Sequence, residues 1–208
     1  MKELLLNFLL ISLVSFGFVI YGQSNKLEVF IQSTGGTVTE TLDDGTVVML
    51  DCSSDDAEQE NDKMVALYDH DLDVGWDEDE QNVLTLGLRF RDIVIQRAAI
   101  IDSAFLIIHA DEARSAEDVC ILNITCEATD NAATFDEEKL ITSRPRTTVS
   151  VRWEVAESWI IWQPYRSPDL SSVIQEIVKR SGWKAGNSLA LIIEGENQGP
   201  SNFENSRE

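Results

Sequence analysis

Short runs rich in Val, Ile and Thr recur along this chain, and Gly, Asp or Asn separates each run from the next. Runs of this length with turn residues between them are typical of an antiparallel β-sandwich. The pattern predicts strands over residues 27–32, 36–42, 46–52, 64–68, 84–90, 100–110, 119–128, 147–154 and 188–194. The run AIIDSAFLIIHA is nearly continuously apolar, which predicts a central strand covered on both faces.

One segment near the carboxyl end has helical spacing instead. In SPDLSSVIQEIVKRSG, Ser167 is the expected N-cap, Pro168 takes the first helical position and Gly182 follows the last turn. The apolar residues that fall on one helical face are Leu170, Val173, Ile174, Ile177 and Val178. We therefore predict a single amphipathic helix over 168–181 that packs against one end or edge of the sandwich.

The first 22 residues are typical of a secretory signal peptide. They combine Lys2, a long apolar run and a small residue, Gly22, at the end of that run. An uncleaved membrane anchor is the alternative, but no cluster of Lys or Arg follows the run to stop transfer. We expect a secreted or cell-surface protein that begins near Gln23 and has no membrane contact after cleavage.

We assign residues 23–196 to one sandwich module and residues 197–208 to a polar tail. The tail has no strand pattern, whereas a sandwich normally finishes on a strand. The sequence therefore indicates a chain that is truncated before its last strand or that belongs to a longer multidomain protein, with neighbouring domains as partners.

The cysteines leave two interpretations open. In VCILNITCE, Cys120 and Cys126 alternate onto one strand face, too far apart along the strand to bridge each other. Cys52 alternates with apolar residues and could reach one of them in an oxidising compartment. The alternatives are buried free thiols and one disulfide that involves Cys52.

The net charge argues against nucleic acids and anionic membrane surfaces as partners. The 208 residues include 37 acidic and 16 basic side chains, for a formal net charge of −21. A nucleic-acid backbone or an anionic membrane surface attracts proteins of the opposite sign.

The 43% of apolar residues is enough to build a core.

Five landmarks lie in order along the chain, namely DCSSDDAEQ (51–59), LGLRFRDIVIQRAAIIDSAFLIIHADE (86–112), TDNAATF (129–135), ITSRPRTTVSVRW (141–153) and PDLSSVIQEIVKRSGWKAGNSLALII (168–193). They resemble a module found in secreted multidomain proteins of marine and polysaccharide-degrading bacteria, and their order is similar to that of the DNRLRE-type carbohydrate-binding modules. The resemblance implies an all-β, jelly-roll-like sandwich and a carbohydrate-binding function.

Acidic residues are concentrated between Glu40 and Glu80, where Lys63 is the one basic residue. Crowded carboxylates are stable only when water, screening or a cation neutralises them, and Ca²⁺ prefers such oxygen ligands. Two interpretations stay open, a solvated acidic face and a calcium site. The candidate metal ligands are Asp55, Asp56, Glu58, Asp71 and Asp73.

Aromatic side chains are concentrated in IIWQPY and just before it, in a segment predicted to be a loop before the helix. Flat aromatic rings stack on sugar rings, although Trp in a sandwich is more often packed in the core. Arg144 and Arg146 could form bidentate hydrogen bonds with the carboxylate of an acidic sugar, or they could pair with the acidic segment. The candidate ligand-binding residues are Trp159, Trp162, Tyr165, Arg144 and Arg146.

No GxSxG, HExxH or glycine-rich phosphate motif is present in the sequence. We therefore expect a non-catalytic module that binds polysaccharide or another cell-surface component, with Ca²⁺ as a structural ion. The alternatives are a structural or adhesive module without a glycan ligand, and a polysaccharide hydrolase or lyase, which needs only two suitably spaced carboxylates.

Overall fold

The computed structural model describes residues 17–22, 25–31, 36–41, 47–60, 63–67, 72–77, 82–110, 112–197 and 205–207. The strands before the helix are β1 (Gly17–Gly22), β2 (Asn25–Phe30), β3 (Gly36–Thr41), β4 (Val47–Cys52), β5 (Asp56–Glu60), β6 (Lys63–Ala66), β7 (Val74–Asp77), β8 (Asn82–Ile93), β9 (Ser103–His109), β10 (Cys120–Cys126), β11 (Val151–Val155) and β12 (Pro164–Arg166). The helix is α1 (Ser171–Val178), and β13 (Asn187–Gly195) and β14 (Asn205–Arg207) follow it.

The strands form two main antiparallel sheets that pack face to face. The smaller sheet has the order β12-β9-β1-β2. The larger sheet has the order β11-β10-β13-β8-β5-β6, with β7 paired to both β8 and β14. Within the residues that the structure describes, strands β3 and β4 pair only with each other. The predicted all-β sandwich is confirmed, and the jelly-roll arrangement stays a prediction.

The main core lies between the two sheets. On β9 the inward positions Ala104, Leu106 and Ile108 are buried, whereas the alternate positions are only partly covered. The prediction that this strand is covered on both faces is therefore wrong. The fully covered strand is β13, in which the run 188–193 is buried at every position.

Strand β13 is covered on its second face because residues 129–147 fold back over the larger sheet. Phe135 and Ile141 from this segment pack against Ala57, Ala190 and Ile192 in a second, smaller core. Phe135 also lies directly over Gly87 of β8, where an added Cβ would come within 2.5 Å of the ring. A glycine at this position therefore lets the aromatic ring approach the sheet.

The predicted helix is confirmed, and its apolar face is buried, but it is shorter than expected and begins later. Ser167 is not its N-cap, because the Ser167 backbone and hydroxyl bond to Leu106 and continue the pairing with β9. The carboxylate of Asp169 instead accepts hydrogen bonds from the backbone N–H of Ser171 and of Ala104. One side chain thus fixes the start of the helix to the adjacent strand.

Both ends of the chain differ from expectation. Within the polar tail, Asn205–Arg207 forms β14 and pairs with β7. At the other end, β1 lies inside the segment predicted to be a signal peptide. Within the described ranges, no helix combines the length and the apolar character that crossing a bilayer requires.

Two of the cysteines are buried free thiols, Cys120 and Cys126. Burial is the main cause that raises the pKa of the Cys126 thiol far above its usual range, and the nearby Glu127 carboxylate adds to it. Such a thiol is unreactive, because the thiolate is the nucleophilic form. The side chain of Cys52 lies outside the described residues.

Candidate functional site

The aromatic segment between β11 and β12 packs around an aromatic pair in which Trp159 is buried and Tyr165 is partly buried. Trp159 is 2% exposed, and its ring stacks on that of Tyr165 with centroids 4.8 Å apart and planes 12° from parallel. The backbone of Trp159 exchanges hydrogen bonds of 2.9 and 3.1 Å with that of Arg114. Trp159 of the loop and Tyr165 of β12, both predicted to bind ligand, therefore pack on each other, and we call this pair the support.

The support fixes the path of the residues that follow it. The Tyr165 hydroxyl accepts a hydrogen bond from the Ile160 backbone N–H at 2.8 Å and lies 3.1 Å from the carbonyl oxygen of Ser158. The backbone N–H of Trp162 donates a hydrogen bond of 2.7 Å to the carbonyl oxygen of Ala110, the residue after β9. The loop is thus held by hydrogen bonds along its length.

Residues 160–162, Ile-Ile-Trp, are presented to solvent by this support, and we call them the apolar tip. Their exposed fractions are 62% for Ile160, 42% for Ile161 and 49% for Trp162. Residues 158–165 carry no charged side chain, although a quarter of the whole sequence is charged. Contiguous exposed apolar groups with a polar surround are typical of interaction sites.

The tip also holds Trp162 in a strained backbone conformation. Gln163 donates its N–H to the Ile160 carbonyl at 3.0 Å, which closes a turn with Trp162 at its third position. Trp162 has φ of +67°, a region that turns of this kind normally fill with Gly. A side chain in this conformation costs about 1–2 kcal/mol.

The two predicted arginines lie elsewhere and are engaged within the protein. Arg144 is buried, bonds to the carboxylate of Glu127 at 2.8 Å and lies over the Phe135 ring. It also donates to the carbonyl oxygens of Ala133 and Thr134. Arg146 forms an ion pair with Glu194 of β13. Both arginines therefore fasten residues 129–147 to the larger sheet, and the structure does not bring them to the apolar tip.

Two of the predicted metal ligands, Asp55 and Glu58, are engaged within the protein. Asp55 is fully buried and pairs with Arg89 and, at 2.9 Å, with Arg91. Glu58 instead accepts a hydrogen bond from the backbone N–H of Asp73. Asp55 faces the side of the sheet covered by residues 129–147.

Asp56 lies opposite Leu88 in the register and so shares the face of the main core, as Glu58 does opposite Leu86. Asp71 lies outside the described residues. Among the side chains that the structure describes, no three His, Cys, Asp or Glu residues are arranged to hold a metal ion.

The pKa of Asp56 is raised to about 7, mainly by burial. The neighbouring Asp55 carboxylate also raises it, whereas hydrogen bonds from the Asp56 backbone and the Ser53 hydroxyl lower it. A carboxyl group with this pKa is partly protonated near neutral pH. The sequence indicated Asp56 as a metal ligand. It could not indicate the raised pKa of Asp56, because that pKa depends on burial in the folded protein.

The sequence pattern predicted the loop and its aromatic residues, but it did not single out Ile160 and Ile161. Their role depends on which of the apolar side chains in WIIW turn inward, and periodicity is uninformative in a loop of this length.

Comparisons of the chain with protein-family models, with curated proteins and with solved structures find no match.

Proposed function

We propose that this protein is a secreted, non-catalytic β-sandwich module that binds polysaccharide through the apolar tip. The observation that carries the proposal is Trp162, about half exposed and in a left-handed backbone conformation on a loop fixed by buried aromatic packing. The resemblance to DNRLRE-type carbohydrate-binding modules, with their jelly-roll fold, is in line with it.

The chemistry of the tip suits a sugar ring. The indole ring is flat and rigid, so it loses little conformational entropy when an apolar face of a pyranose stacks on it. Ile160 and Ile161 extend the apolar surface beside the indole. The hydrogen bonds of Tyr165 and Ala110 hold the loop in place before the ligand arrives, which lowers the cost of ordering it.

Charge indicates which glycan to expect. Residues 158–165 are uncharged, and the whole protein carries −21, so an acidic polysaccharide would be repelled. We therefore propose an uncharged glycan as the ligand. The structural calcium ion expected from the sequence stays a prediction, and no part of the proposed contact depends on it.

Affinity electrophoresis on gels that contain neutral or acidic plant and algal polysaccharides tests this function. We expect retardation on at least one neutral polysaccharide, and a loss of affinity of at least about tenfold in Trp162→Ala, because an aromatic anchor is worth more than about 1.4 kcal/mol. The matched control is Ile100→Ala, which removes another exposed apolar side chain, 57% exposed, before β9. The control should migrate like the wild type.

Other outcomes separate the alternatives. Equal migration of the wild type on all gels would reject glycan binding and favour a structural or adhesive module. Release of oligosaccharides from the same panel would indicate a hydrolase or lyase. EDTA should leave retardation unchanged, and its loss in EDTA would show that calcium takes part.

A further inference from the structure

Strand β1 occupies an internal position in the smaller sheet. Gly17–Gly22 pairs with Asn25–Phe30 on one side, and Gly17–Tyr21 pairs with Ser103–Ile107 on the other. In the described part of the chain, β2 has no sheet partner except β1. Without β1, the sheet would therefore lose its connection between β9 and β2.

One side chain of β1 is part of the main core. Ile20 is 2% exposed and lies directly opposite Ala104 of β9, which is fully buried. On its other side Ile20 is opposite Leu27, which packs against the same core. Residues directly opposite in an antiparallel pair share a face of the sheet, so Ile20 covers Ala104. Removal of β1 would expose this part of the core to water.

The sequence around β1 contains three candidate cleavage sites for a signal peptidase. Such enzymes prefer small residues at the last and third-last positions before the cut. A cut after Gly22 places the large residue Ile20 at the third-last position. A cut after Gly17 and a cut after Ser24 each have small residues at both positions, Ser15 and Gly17 or Gly22 and Ser24. Of these two, the cut after Ser24 would remove β1. The apolar run before Ser15 is also long enough for a signal peptide.

We infer that the signal peptide is cleaved after Gly17, at Ser15-Phe16-Gly17, so that the exported protein begins at Phe18 and keeps β1 in its sheet. The inference rests on the proposed secretion. It moves the expected start of the exported chain from Gln23 into β1. The small residues leave the cuts after Gly17 and Ser24, and retention of β1 selects the cut after Gly17.

The full 208-residue chain, produced in a Gram-negative bacterium with a carboxyl-terminal affinity tag, provides the test. Amino-terminal sequencing and intact-mass measurement of the exported protein should show a start at Phe18. An exported protein that starts at Gln23 or at Asn25 would overturn the cleavage inference and leave secretion supported. A full-length chain retained in the cytoplasm would overturn both.

Two glycine variants sharpen the result. Gly17→Leu places a large residue directly before the inferred cut, so the unprocessed precursor should accumulate. Gly22→Leu is the matched control and should be processed like the wild type. The reverse outcome, with accumulation only in Gly22→Leu, would overturn the inference. Processing is read on the precursor, so the result does not depend on how well either variant folds.

Discussion

The face of the larger sheet covered by residues 129–147 and the apolar tip distribute their side chains in opposite ways. The covered face buries charges, namely Asp55 at 0%, Arg144 at 3% and Glu127 at 7% exposure. The tip exposes Ile and Trp side chains to water. Each region contradicts the usual placement of polar groups outside and apolar groups inside.

The difference lies in whether the unusual placement is compensated within the protein. Each of the three buried charges has an opposite charge as its partner, and Arg144 also bonds to two backbone carbonyls. The apolar side chains of the tip instead stay 42–62% exposed. A buried charge with partners serves the fold, whereas contiguous exposed apolar groups are typical of interaction sites.

The largest expected effect is on the covered face. Arg144→Leu leaves the Glu127 carboxylate buried without its cation and frees the carbonyls of Ala133 and Thr134. Breaking a buried ion pair from one side costs about 3–5 kcal/mol. We expect a loss of this size in the free energy of unfolding, measured by urea denaturation.

Arg146→Leu is the matched control, because it removes an arginine two positions along the same segment. Arg146 and Glu194 are partly exposed, at 24% and 36%, and such pairs contribute about 0–1 kcal/mol. Equal losses in the two variants would contradict the contrast between a buried and a solvated pair. An unchanged unfolding free energy in Arg144→Leu would show that the covered face is not held by its charges.

These two arginines also show how far the sequence could predict the molecule. Periodicity identified most strands and the helix, because alternation and helical spacing are local properties. It missed β5, whose sequence DAEQE is polar, although Ala57 and Gln59 are fully buried by its neighbours in the sheet. Whether Arg144 faces a ligand or Glu127 depends on the fold of residues 129–147, which no local pattern encodes.

The second effect concerns Asp56, next to the buried Asp55 but on the opposite face of the strand. Its pKa of about 7 in the folded protein exceeds the value of about 3.9 in an unfolded chain. The folded state therefore binds more protons between these values, and stability falls as pH rises from about 4 to 7. The full shift corresponds to about 4 kcal/mol, and partial exposure of the side chain reduces this to about 2.

Asp56→Asn removes this titration and provides the measurement. The variant should be more stable than the wild type by about 2 kcal/mol at pH 8, and the difference should shrink as the pH falls toward 4. Urea denaturation at a series of pH values reports it. A constant difference across the series would show that Asp56 stays charged in the folded state.

The smallest effect on stability is expected at the tip, and it has the opposite sign. Trp162→Gly relieves the positive φ, so the free energy of unfolding should rise by about 1 kcal/mol, less a small loss from the greater freedom of Gly in the unfolded chain. Glycan retardation should be lost in the same variant. Stability and binding would then change in opposite directions at one residue, which is the signature of a strained position kept for a ligand. A clear loss of stability in Trp162→Gly would instead mean that the indole packs for the fold, and the contrast between the tip and the covered face would fail.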